Sequence, residues 1–526
     1  MGFLDRERTV AGPGFSRWMV PPAALCIHLC IGQAYAFSVF NLPMTKLIGI
    51  SKSAPDDWTI PQLGWIFSIA IVFLGLSAAV FGRWVEEGGP RRAMFTSGVC
   101  WAVGFMVSAV GVQLHQLWII YIGYGVIGGI GLGLGYISPV STLIKWFPDR
   151  RGMATGMAIM GFGGGAMIGS PLANILMTNF KSATEVGVWQ TFVVMGAVYF
   201  VFMIGGALGY RVPPAGWRPE GWTPPAPSAK AMIANGHVHL RNAHKTGSFW
   251  MIWLVLCMNV SAGIGVIAMA SPMLQEIFSG SLFGHPEIGF TQLDDKQKVI
   301  VAGIAAGFTG LLSLFNIGGR FFWASLSDKL GRKNTYYVFF VLGIICYALA
   351  PTAAHMGSQA LFVAFFCIIL SMYGGGFATV PAYLADIFGT QFVGAIHGRL
   401  LTAWSTAGIL GPLVVTYIRE SQIAAGVDRA LVYDRTMYYL AGFLVIGLIA
   451  NLLVRPLDRK WFMADSEVAR LQAGAKAGAA SIPSGSFGIG AGSFNLVTVL
   501  AWLVVGVPVA WGVWRTLLTA AKLFGG

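Results

Sequence analysis

The sequence predicts an all-α polytopic membrane protein, and three observations support that prediction. Hydrophobic residues make up 56% of the 526 residues and charged residues only 10%, whereas about a quarter of a soluble chain is charged. Apolar runs of about 20 residues, enough to cross a bilayer as a helix, recur along most of the chain. The short segments of alternating polarity that a membrane β-barrel needs do not occur.

Twelve apolar segments form the predicted bundle, and a further one follows them near the end of the chain. The first segment is too long for a signal peptide and no cleavage pattern follows it, so we expect it to be retained. The predicted crossings are residues 17–44, 61–83, 93–113, 117–146, 152–178, 188–210, 247–276, 299–325, 335–354, 359–387, 394–418 and 434–456, with the extra C-terminal hydrophobic helix at 494–514.

Basic residues are distributed unequally between the two sides of this bundle. With the N-terminus placed in the cytoplasm, about 22 Lys and Arg fall on the inner side and about 8 on the outer side. This positive-inside pattern predicts a multi-pass protein of the cell inner (plasma) membrane with a cytoplasmic N-terminus. Topology then accounts for the net charge of +13, and we expect no nucleic-acid partner.

Cysteine, histidine and acidic residues exclude several kinds of chemistry. All six cysteines lie within apolar segments and none forms a Cys-x-x-Cys pair, so we expect packing cysteines and neither a metal site nor a disulfide framework. Intramembrane histidines and acids are too sparse for a nucleophile–base pair or a metal cluster. The sequence therefore predicts no enzyme and no cofactor.

An internal repeat with an offset of about 242 residues divides the chain. GRWVEEGGPRR (82–92) matches ASLSDKLGRKN (324–334), and 139–171 matches 381–412 at the same offset. Two parallel six-helix halves are the architecture of the major facilitator fold. The predicted domains are an N-terminal half at 1–210, a polar, Pro-rich cytoplasmic linker at 211–246, a C-terminal half at 247–456, a flexible cytoplasmic segment at 457–493 and the extra hydrophobic helix at 494–526.

The repeated loop resembles the signature loop of that superfamily, which follows the second helix of each half. ASLSDKLGRK is a strong match, with Ala324 where Gly is usual, and GRWVEEGGPRR is a looser copy. The acid can cap a helix N-terminus, while the basic residues can pair with acids of the other half. The alternative is that these charges only set topology. The gating prediction covers Glu86, Arg91, Asp328, Arg332 and Lys333.

Arg320 is a lone charge inside an apolar segment. It lies eight residues before Asp328, about 12 Å along a helix, which is not far from the midplane of a core about 30 Å thick. A charge at that depth costs about 2.5–3.5 kcal/mol, which is tolerated where it faces an aqueous cavity and meets an anion. We expect Arg320 to bind a carboxylate through its planar fork. The alternatives are snorkelling and a structural helix–helix pair. Asn316 lies one turn earlier on the same face and can orient the fork or bind the ligand.

Four stretches resemble the oxalate/formate antiporter family: SLFNIGGRFFWASLSDKLGR (313–332), IKWFPDRRGMATG (144–156), GQAYAFSVF (32–40) and ADIFGT (385–390). The likeness spans residues 17 to about 456. It implies a secondary active carboxylate transporter that works by alternating access, with the ligand between the halves and Arg320 as the substrate-binding arginine. Ordinary helix packing is the alternative for each aromatic residue that the resemblance implies. The aromatic residues that the resemblance places along the cavity are Tyr35, Tyr136, Tyr373 and Phe377.

One departure from this family concerns the substrate. The oxalate-specific member carries a lysine in the eleventh helix, where this chain has Trp404. A buried carboxylate without a partner is expensive, and one arginine matches one carboxylate. We therefore favour a monocarboxylate such as formate, lactate or pyruvate, with Trp404 in the site. A dicarboxylate antiporter of the oxalate/formate type is the alternative.

Coupling and gating have one candidate each outside this set. The eighth helix resembles the D-x-x-x-R arrangement of animal proton-linked monocarboxylate transporters, but Asn316 replaces the acid and cannot carry a proton. His28 is the titratable candidate for proton coupling, with a packed, neutral histidine as the alternative. Anion exchange needs no titratable residue, so symport and antiport both stay open. Arg399 lies too shallow for a midplane site, and we expect it in a gate ion pair.

The C-terminal segment departs from the twelve-helix pattern. FNLVTVLAWLVVGVPVAWGVW (494–514) is long enough to span, but a crossing would leave Arg515 and Lys522 outside, against the charge rule. The alternatives are an interfacial position or packing beside the bundle. A transport-like anion receptor is the remote alternative function. We expect a monomer whose partners are a small organic anion, the lipid bilayer and a counter-anion or a proton.

Overall fold

The structure is a computed structural model that describes most of the chain. The described residues are 3–12, 14–149, 151–214, 217–221, 234, 236–389, 391–464, 466–468 and 496–523, without the side chains at 6, 7, 83, 86, 87, 141, 144, 151, 152, 155 and 295. Thirteen helices in these ranges are long and apolar enough to span a membrane, and they confirm the predicted polytopic α-helical class. The predicted linker lies partly, and the segment at 457–493 largely, outside the described residues.

The helices follow the order of the predicted segments, and three of them are irregular. The first contains a 3-10 stretch at Gly32–Phe40, the fourth a π-helical stretch, and the eleventh a break at Leu401. In chain order they are α1 (Arg17–Met44), α2 (Ile60–Gly88), α3 (Pro90–Gln113), α4 (Leu117–Ile120, Tyr121–Gly128 and Gly129–Trp146), α5 (Arg151–Phe180), α6 (Val188–Gly209), α7 (Gly247–Phe278), α8 (Asp295–Leu330), α9 (Arg332–His355), α10 (Gln359–Phe388), α11 (Val393–Leu400 and Thr402–Ala424), α12 (Asp434–Leu453) and α13 (Leu496–Ala520).

Helix pairings in α1–α6 recur in α7–α12. In the first set α1 packs on α5, α2 on α4 and α3 on α6, while in the second α7 packs on α11, α8 on α10 and α9 on α12. Gly89 and Gly331, which align in the repeat, both turn the chain between consecutive helices at φ values of 85° and 84°. Positive φ favours glycine because it lacks a Cβ. The sequence repeat is therefore also a repeat of the fold.

The two sets of helices meet along two seams, α5/α8 and α2/α11. A Cβ added at Gly156 of α5 would lie 3.4 Å from the backbone oxygen of Arg320 in α8. Its repeat counterpart, Gly398 of α11, would bring a Cβ to 2.9 Å from the backbone oxygen of Ala78 in α2. Small residues let helix backbones approach closely, so both seams are tight at corresponding positions.

A serine hydrogen bond crosses each seam close to these glycines. The Ser313 hydroxyl of α8 donates to the backbone oxygen of Gly163 in α5 at 2.6 Å. The Ser405 hydroxyl of α11 donates to the backbone oxygen of Val72 in α2 at 2.8 Å. Position 163 is the repeat counterpart of 405, so the two bonds occupy equivalent places. They hold the two sets together near the middle of the bundle. We call the end of the bundle where α1 begins the linker face, because the described residues between α6 and α7 lie there.

Helix α13 runs along the outside of the α5/α8 seam. The Trp502 indole donates to the backbone oxygen of Trp18 at 3.0 Å near the linker face. Gly512 packs against α5, and Thr516 packs so tightly on α8 that a Cβ at Gly310 would lie 2.6 Å from its hydroxyl. The helix therefore extends along the bundle to the face opposite the linker face and touches helices of both sets.

This position selects among the alternatives for the C-terminal segment. The helix packs beside the bundle over its full length instead of lying flat at an interface. Arg515 lies in its last two turns and Lys522 in the short 3-10 helix Ala521–Leu523 that follows it, toward the face opposite the linker face. Exposed apolar side chains cover its outer surface, including Leu500, Val507 and Trp514, as expected of a helix in contact with lipid.

Candidate functional site

Arg320 is fully buried at the α5/α8 seam. Its Nε donates to Asn316 Oδ1 at 3.0 Å, and its Nη1 donates across the seam to the backbone oxygen of Ile159 at 3.0 Å. No described residue accepts a hydrogen bond from Nη2, and no carboxylate in the described part of the chain forms an ion pair with the guanidinium. A buried cation is thus held in place by neutral groups, with one donor left unused.

Two glycines make room for this arrangement. A Cβ at Gly163 of α5 would lie 2.9 Å from Arg320 Nε and 3.0 Å from Asn316 Oδ1. A Cβ at Gly374 of α10 would lie 3.0 Å from Arg320 Cγ and closer still to Asn316. The guanidinium therefore fits only because both neighbouring helices carry no side chain at these positions.

Aromatic rings surround the guanidinium. Its Cζ lies 5.4 Å from the ring centre of Phe377 and 6.0 Å from that of Phe162, distances at which a cation is attracted to a ring face. The hydroxyls of Tyr35 in α1 and Tyr373 in α10 are 2.5 Å apart, and they bridge the two sets of helices. Both hydroxyls interact electrostatically with Arg320.

Tyr136 and Trp404 complete the cluster from α4 and α11. Their ring centres are 5.1 Å apart, and the Trp404 ring lies 4.4 Å from that of Phe377. The Tyr136 hydroxyl interacts electrostatically with Arg320, but the two groups lack the geometry of a hydrogen bond. Neither this hydroxyl nor Trp404 Nε1 has a hydrogen-bond partner among the described residues. Burying an unpaired donor costs about 1–3 kcal/mol. Three such donors, Arg320 Nη2, the Tyr136 hydroxyl and Trp404 Nε1, lie in one cluster and indicate a site for a hydrogen-bond acceptor.

The structure closes this cluster on all sides. Arg320, Tyr136, Phe377 and Trp404 have no exposed surface, and Tyr35 is only 3% exposed. A larger and a smaller cleft both reach Tyr35. The larger is lined by the parts of α1, α2, α7 and α11 that lie away from the linker face. The site is therefore occluded, and the open space adjoining it leads toward the opposite face.

His28 lies behind Tyr136 and faces backbone oxygens. Its Nδ1 contacts the backbone oxygen of Ala158, and its Nε2 lies 3.1 Å from that of Gly135 and 3.3 Å from that of Tyr136. Its ring stacks on that of Tyr136 at 5.7 Å. Both ring nitrogens thus contact helix backbone within α4 and α5, and the ring interacts electrostatically with Arg320.

Two residues of the cluster were not among the sequence-based candidates. Phe162 of α5 is the repeat counterpart of Trp404, and the two ring centres are 5.2 Å apart. His397 of α11 is buried, its ring centre lies 6.5 Å from that of Tyr136, and its Nε2 has no partner in the described chain. The signals that could have found them are the repeat offset for Phe162 and the seven-residue spacing from Trp404, two helical turns, for His397.

The signature-loop charges make their contacts within their own set of helices. Arg91 Nη2 donates to the backbone oxygens of Leu208 at 3.3 Å and Tyr210 at 3.2 Å, where α6 ends. Lys333, its repeat counterpart, donates to those of Leu452 and Val454 at the end of α12. These cations satisfy the last carbonyls of a helix. The described residues therefore do not show the expected pairing of these two cations with acids of the other half.

The remaining gating candidates behave similarly. Arg332 pairs with Asp328 and lies 3.7 Å from Asp386 of α10, while the side chain of Glu86 lies outside the described residues. The predicted gate ion pair of Arg399 is not found among the described side chains, because its Nη1 donates to the backbone oxygen of Leu240 at 2.9 Å and to His244 Nδ1 at 3.1 Å. In this closed arrangement the seams are held by hydrogen bonds to backbone.

A buried ionic network lies away from this site, at the opposite face. Glu276 of α7 accepts hydrogen bonds from Arg419 of α11, from Arg429 at 2.7 Å and from Tyr433 at 2.6 Å. Glu276 is 4% exposed and Arg419 5%. Both arginines counted as outer-loop charges in the sequence, and only the folding of α7 onto α11 brings them to the acid. The network fixes the packing of these two helices.

Comparison with known proteins agrees with this fold. The family model described as Major Facilitator Superfamily matches residues 23–412. The chain is 25% identical over 398 residues to the oxalate:formate antiporter of Oxalobacter formigenes, covering 75% of this chain and 83% of that protein. It is 24% identical over 449 residues to the apicoplast pyruvate carrier 1 of Toxoplasma gondii, covering 71% of this chain and 78% of that protein.

A solved structure shares the fold. The bacterial homolog of the human lysosomal transporter Spinster, in an inward-facing and unoccupied conformation, superposes with a TM-score of 0.57 at 16% identity. The superposition covers 83% of this chain and 96% of that one. At this identity the likeness concerns the arrangement of helices alone.

Proposed function

Because the chain belongs to the major facilitator superfamily and is a multi-span membrane transporter and not an enzyme, we propose that it carries small organic anions, with Arg320 binding the carboxylate. The favoured substrates are monocarboxylates such as formate, lactate and pyruvate. The relatives named oxalate:formate antiporter and apicoplast pyruvate carrier 1 are named for carboxylates, which supports this substrate class.

The observation that carries the proposal is a buried guanidinium without a counter-ion among the described side chains. Arg320 has no exposed surface, and isolated buried charge is costly unless it is paired. A structural arginine would pair with a carboxylate of the protein, as Arg419 does with Glu276. The anionic substrate supplies the missing negative charge, and its oxygens can accept a hydrogen bond from the unused Nη2 of Arg320.

The presence of one cation, Arg320, in the proposed site favours a substrate with one carboxylate over a substrate with two. Trp404, which stands in contact with Tyr136 and Phe377, can donate one hydrogen bond but carries no charge. The second carboxylate of a dicarboxylate would then be buried without a cation, and hydrogen bonds to neutral donors compensate a buried charge only partly. An oxalate/formate-type exchange is the alternative that the Oxalobacter relative supports.

Alternating access follows from the two seams. We place the linker face in the cytoplasm and propose that the occluded site opens first toward the clefts that reach Tyr35. Substrate neutralises Arg320 and so lowers the cost of enclosing the charge. The Ser313 and Ser405 bonds occupy equivalent places in the repeat, and we propose that both break when the two sets of helices separate at the linker face.

Counterflow in proteoliposomes tests the proposal. Vesicles loaded with unlabelled acid are diluted into labelled formate, L-lactate, pyruvate or oxalate, and transient accumulation of label identifies a carrier. We expect counterflow with at least one monocarboxylate and weaker counterflow with oxalate. Arg435→Gln, at an exposed arginine near the start of α12, is the matched control and keeps wild-type rates. Binding of the acids without counterflow would favour the receptor alternative and refute the proposal.

A further inference from the structure

The smaller of the two clefts that reach Tyr35 lies beside the Arg320 guanidinium, between the two sets of helices. Gly163 of α5 and Asn316 of α8 line it, and both also lie against Arg320. Asn316 Oδ1 accepts a hydrogen bond from Arg320 Nε, and a Cβ at Gly163 would lie 2.9 Å from the same nitrogen. Further walls come from α1, α7 and α10. An acid whose carboxylate is held by the guanidinium would have its remaining atoms next to this cleft.

Apolar side chains form most of the cleft wall. Two hydroxyl groups of α8 also line it, but both donate elsewhere: Thr309 donates to its own helix at 3.1 Å, and Ser313 donates across the seam to α5 at 2.6 Å. A short alkyl group enclosed here is removed from water, which is favourable, whereas a polar tail would lose its hydrogen bonds to water. The apolar wall residues, all of them buried, are Ala166, Ile267, Ala270, Leu312 and Leu370.

The amide of Asn316 places a hydrogen-bond donor at the end of the cleft nearest the guanidinium. Its Oδ1 is occupied by Arg320 Nε at 3.0 Å, and its Nδ2 has no acceptor among the described residues. An amide nitrogen donates and does not accept hydrogen bonds. The complementary group on a ligand is therefore an oxygen atom close to the carboxylate.

We propose that the protein is selective for 2-oxo monocarboxylates with a short aliphatic tail, the class of pyruvate. The proposal rests on the proposed carboxylate function. Arg320 binds the carboxylate, Asn316 Nδ2 donates to the 2-oxo oxygen, and the alkyl group lies in the smaller cleft. The oxo oxygen is adjacent to the carboxylate in such an acid, as Asn316 is adjacent to Arg320 in the site. The only polar atom beyond the carboxylate then has a donor, and the rest of the tail meets apolar walls.

Pyruvate and propionate form a matched pair, because propionate lacks only the oxo oxygen. Inhibition of labelled pyruvate counterflow by each unlabelled acid gives the two relative affinities. The wild type should bind pyruvate roughly tenfold more tightly than propionate, as expected for one hydrogen bond from a buried donor. Asn316→Leu has a side chain of similar size without a donor and should bring this ratio close to one. Gly303→Ala, on the same helix and unobstructed, is the control and should keep the wild-type ratio.

Two wall variants test the alkyl part of the cleft in opposite directions. Ala270→Val narrows the cleft and should weaken binding of 2-oxobutyrate relative to pyruvate. Leu370→Ala widens it and should strengthen binding of 2-oxobutyrate relative to pyruvate. Each ratio should change about fourfold, the value of one buried methylene. Both acids are measured on the same preparation, so a loss of folded protein does not alter the ratio.

The outcomes separate this subsite from the carboxylate function. Equal affinity of the wild type for pyruvate and propionate, or an unchanged ratio in Asn316→Leu, would overturn the subsite and leave the carboxylate function standing. The same holds where neither wall variant changes the ratio of 2-oxobutyrate to pyruvate. If Asn316→Leu does not fold, the wild-type comparison and the two wall variants decide. Absence of counterflow with every acid would overturn the carboxylate function itself.

Discussion

Replacing Arg320 tests the central feature of the site. In Arg320→Gln the carboxylate loses the guanidinium proposed to bind it but is still enclosed by Phe162, Phe377 and Trp404. Removing one partner of a buried ion pair costs about 3–5 kcal/mol, which corresponds to a loss of roughly 10²–10³·⁵ in affinity at about 1.4 kcal/mol per factor of ten. Arg320→Lys keeps the charge but loses the planar fork, so we expect a smaller loss, on the order of tenfold.

Stability distinguishes a binding role from a structural one. The free guanidinium makes only two hydrogen bonds in the described chain and leaves Nη2 unused. Removing a buried charge that lacks a counter-ion relieves its desolvation cost, so Arg320→Gln should not lower the Tm of the substrate-free protein. A structural arginine would behave in the opposite way.

Thermal unfolding and counterflow measure both effects on the same preparations. Ligand that binds only the folded state raises Tm in proportion to RT ln(1 + [L]/Kd), so formate or pyruvate should raise the Tm of the wild type and not that of Arg320→Gln at the same concentration. Counterflow should fall in the same order, wild type, lysine variant, glutamine variant. Wild-type counterflow by Arg320→Gln, or a large fall in its substrate-free Tm, would refute the assignment.

Three further substitutions test packing around the site and its supports. Gly163→Ala brings a Cβ to 2.9 Å from the guanidinium Nε and should weaken carboxylate binding about tenfold by displacing the fork, whereas Gly205→Ala, which meets nothing within 4 Å, should not. Gly307→Ala places a Cβ 2.7 Å from the backbone of α13 and should lower Tm by roughly 2–4 °C relative to Gly303→Ala, which is four residues earlier and unobstructed. Glu276→Gln removes the buried carboxylate that Arg419 and Arg429 share and leaves Arg419 paired with Glu420 alone, which should cost about 3–5 kcal/mol of stability, seen as a lower Tm with the order of substrate preference unchanged.

Each of these has an outcome that contradicts its reasoning. Equal substrate-induced Tm shifts for Gly163→Ala and Gly205→Ala would mean that the fork is not constrained by α5. Equal melting of Gly307→Ala and Gly303→Ala would mean that α13 does not dock on α8. A wild-type Tm for Glu276→Gln would show that the buried network at the opposite face contributes no net stability.

The sequence predicted the spanning helices and the internal repeat because a bilayer restricts the chain so strongly. Backbone groups in lipid must be satisfied within each segment, which makes each crossing a local property of about 20 residues. The repeat was equally visible, because Gly89 and Gly331 need the same unusual φ. The depth of Arg320 followed from counting residues along a single helix.

The contacts between distant segments needed the tertiary structure. Sequence could not show that Arg91 and Lys333 cap helices of their own set, because a charge near a loop can reach several partners. Nor could it show that Arg419 and Glu276, 143 residues apart, meet in a buried network. A charge count assigns such residues to a side of the membrane and gives no information about their neighbours.

The same division applies to the site itself. The sequence by itself determined that one cation lies at bilayer depth among aromatic residues, since residue type and helical spacing are local. Only the packing of α4, α5, α8, α10 and α11 decided that Nη2 of Arg320, the Tyr136 hydroxyl and Trp404 Nε1 together lack partners in the part of the chain that the structure describes. Whether a buried donor is satisfied depends on atoms from helices that are far apart in the chain, and these come together only when the bundle forms.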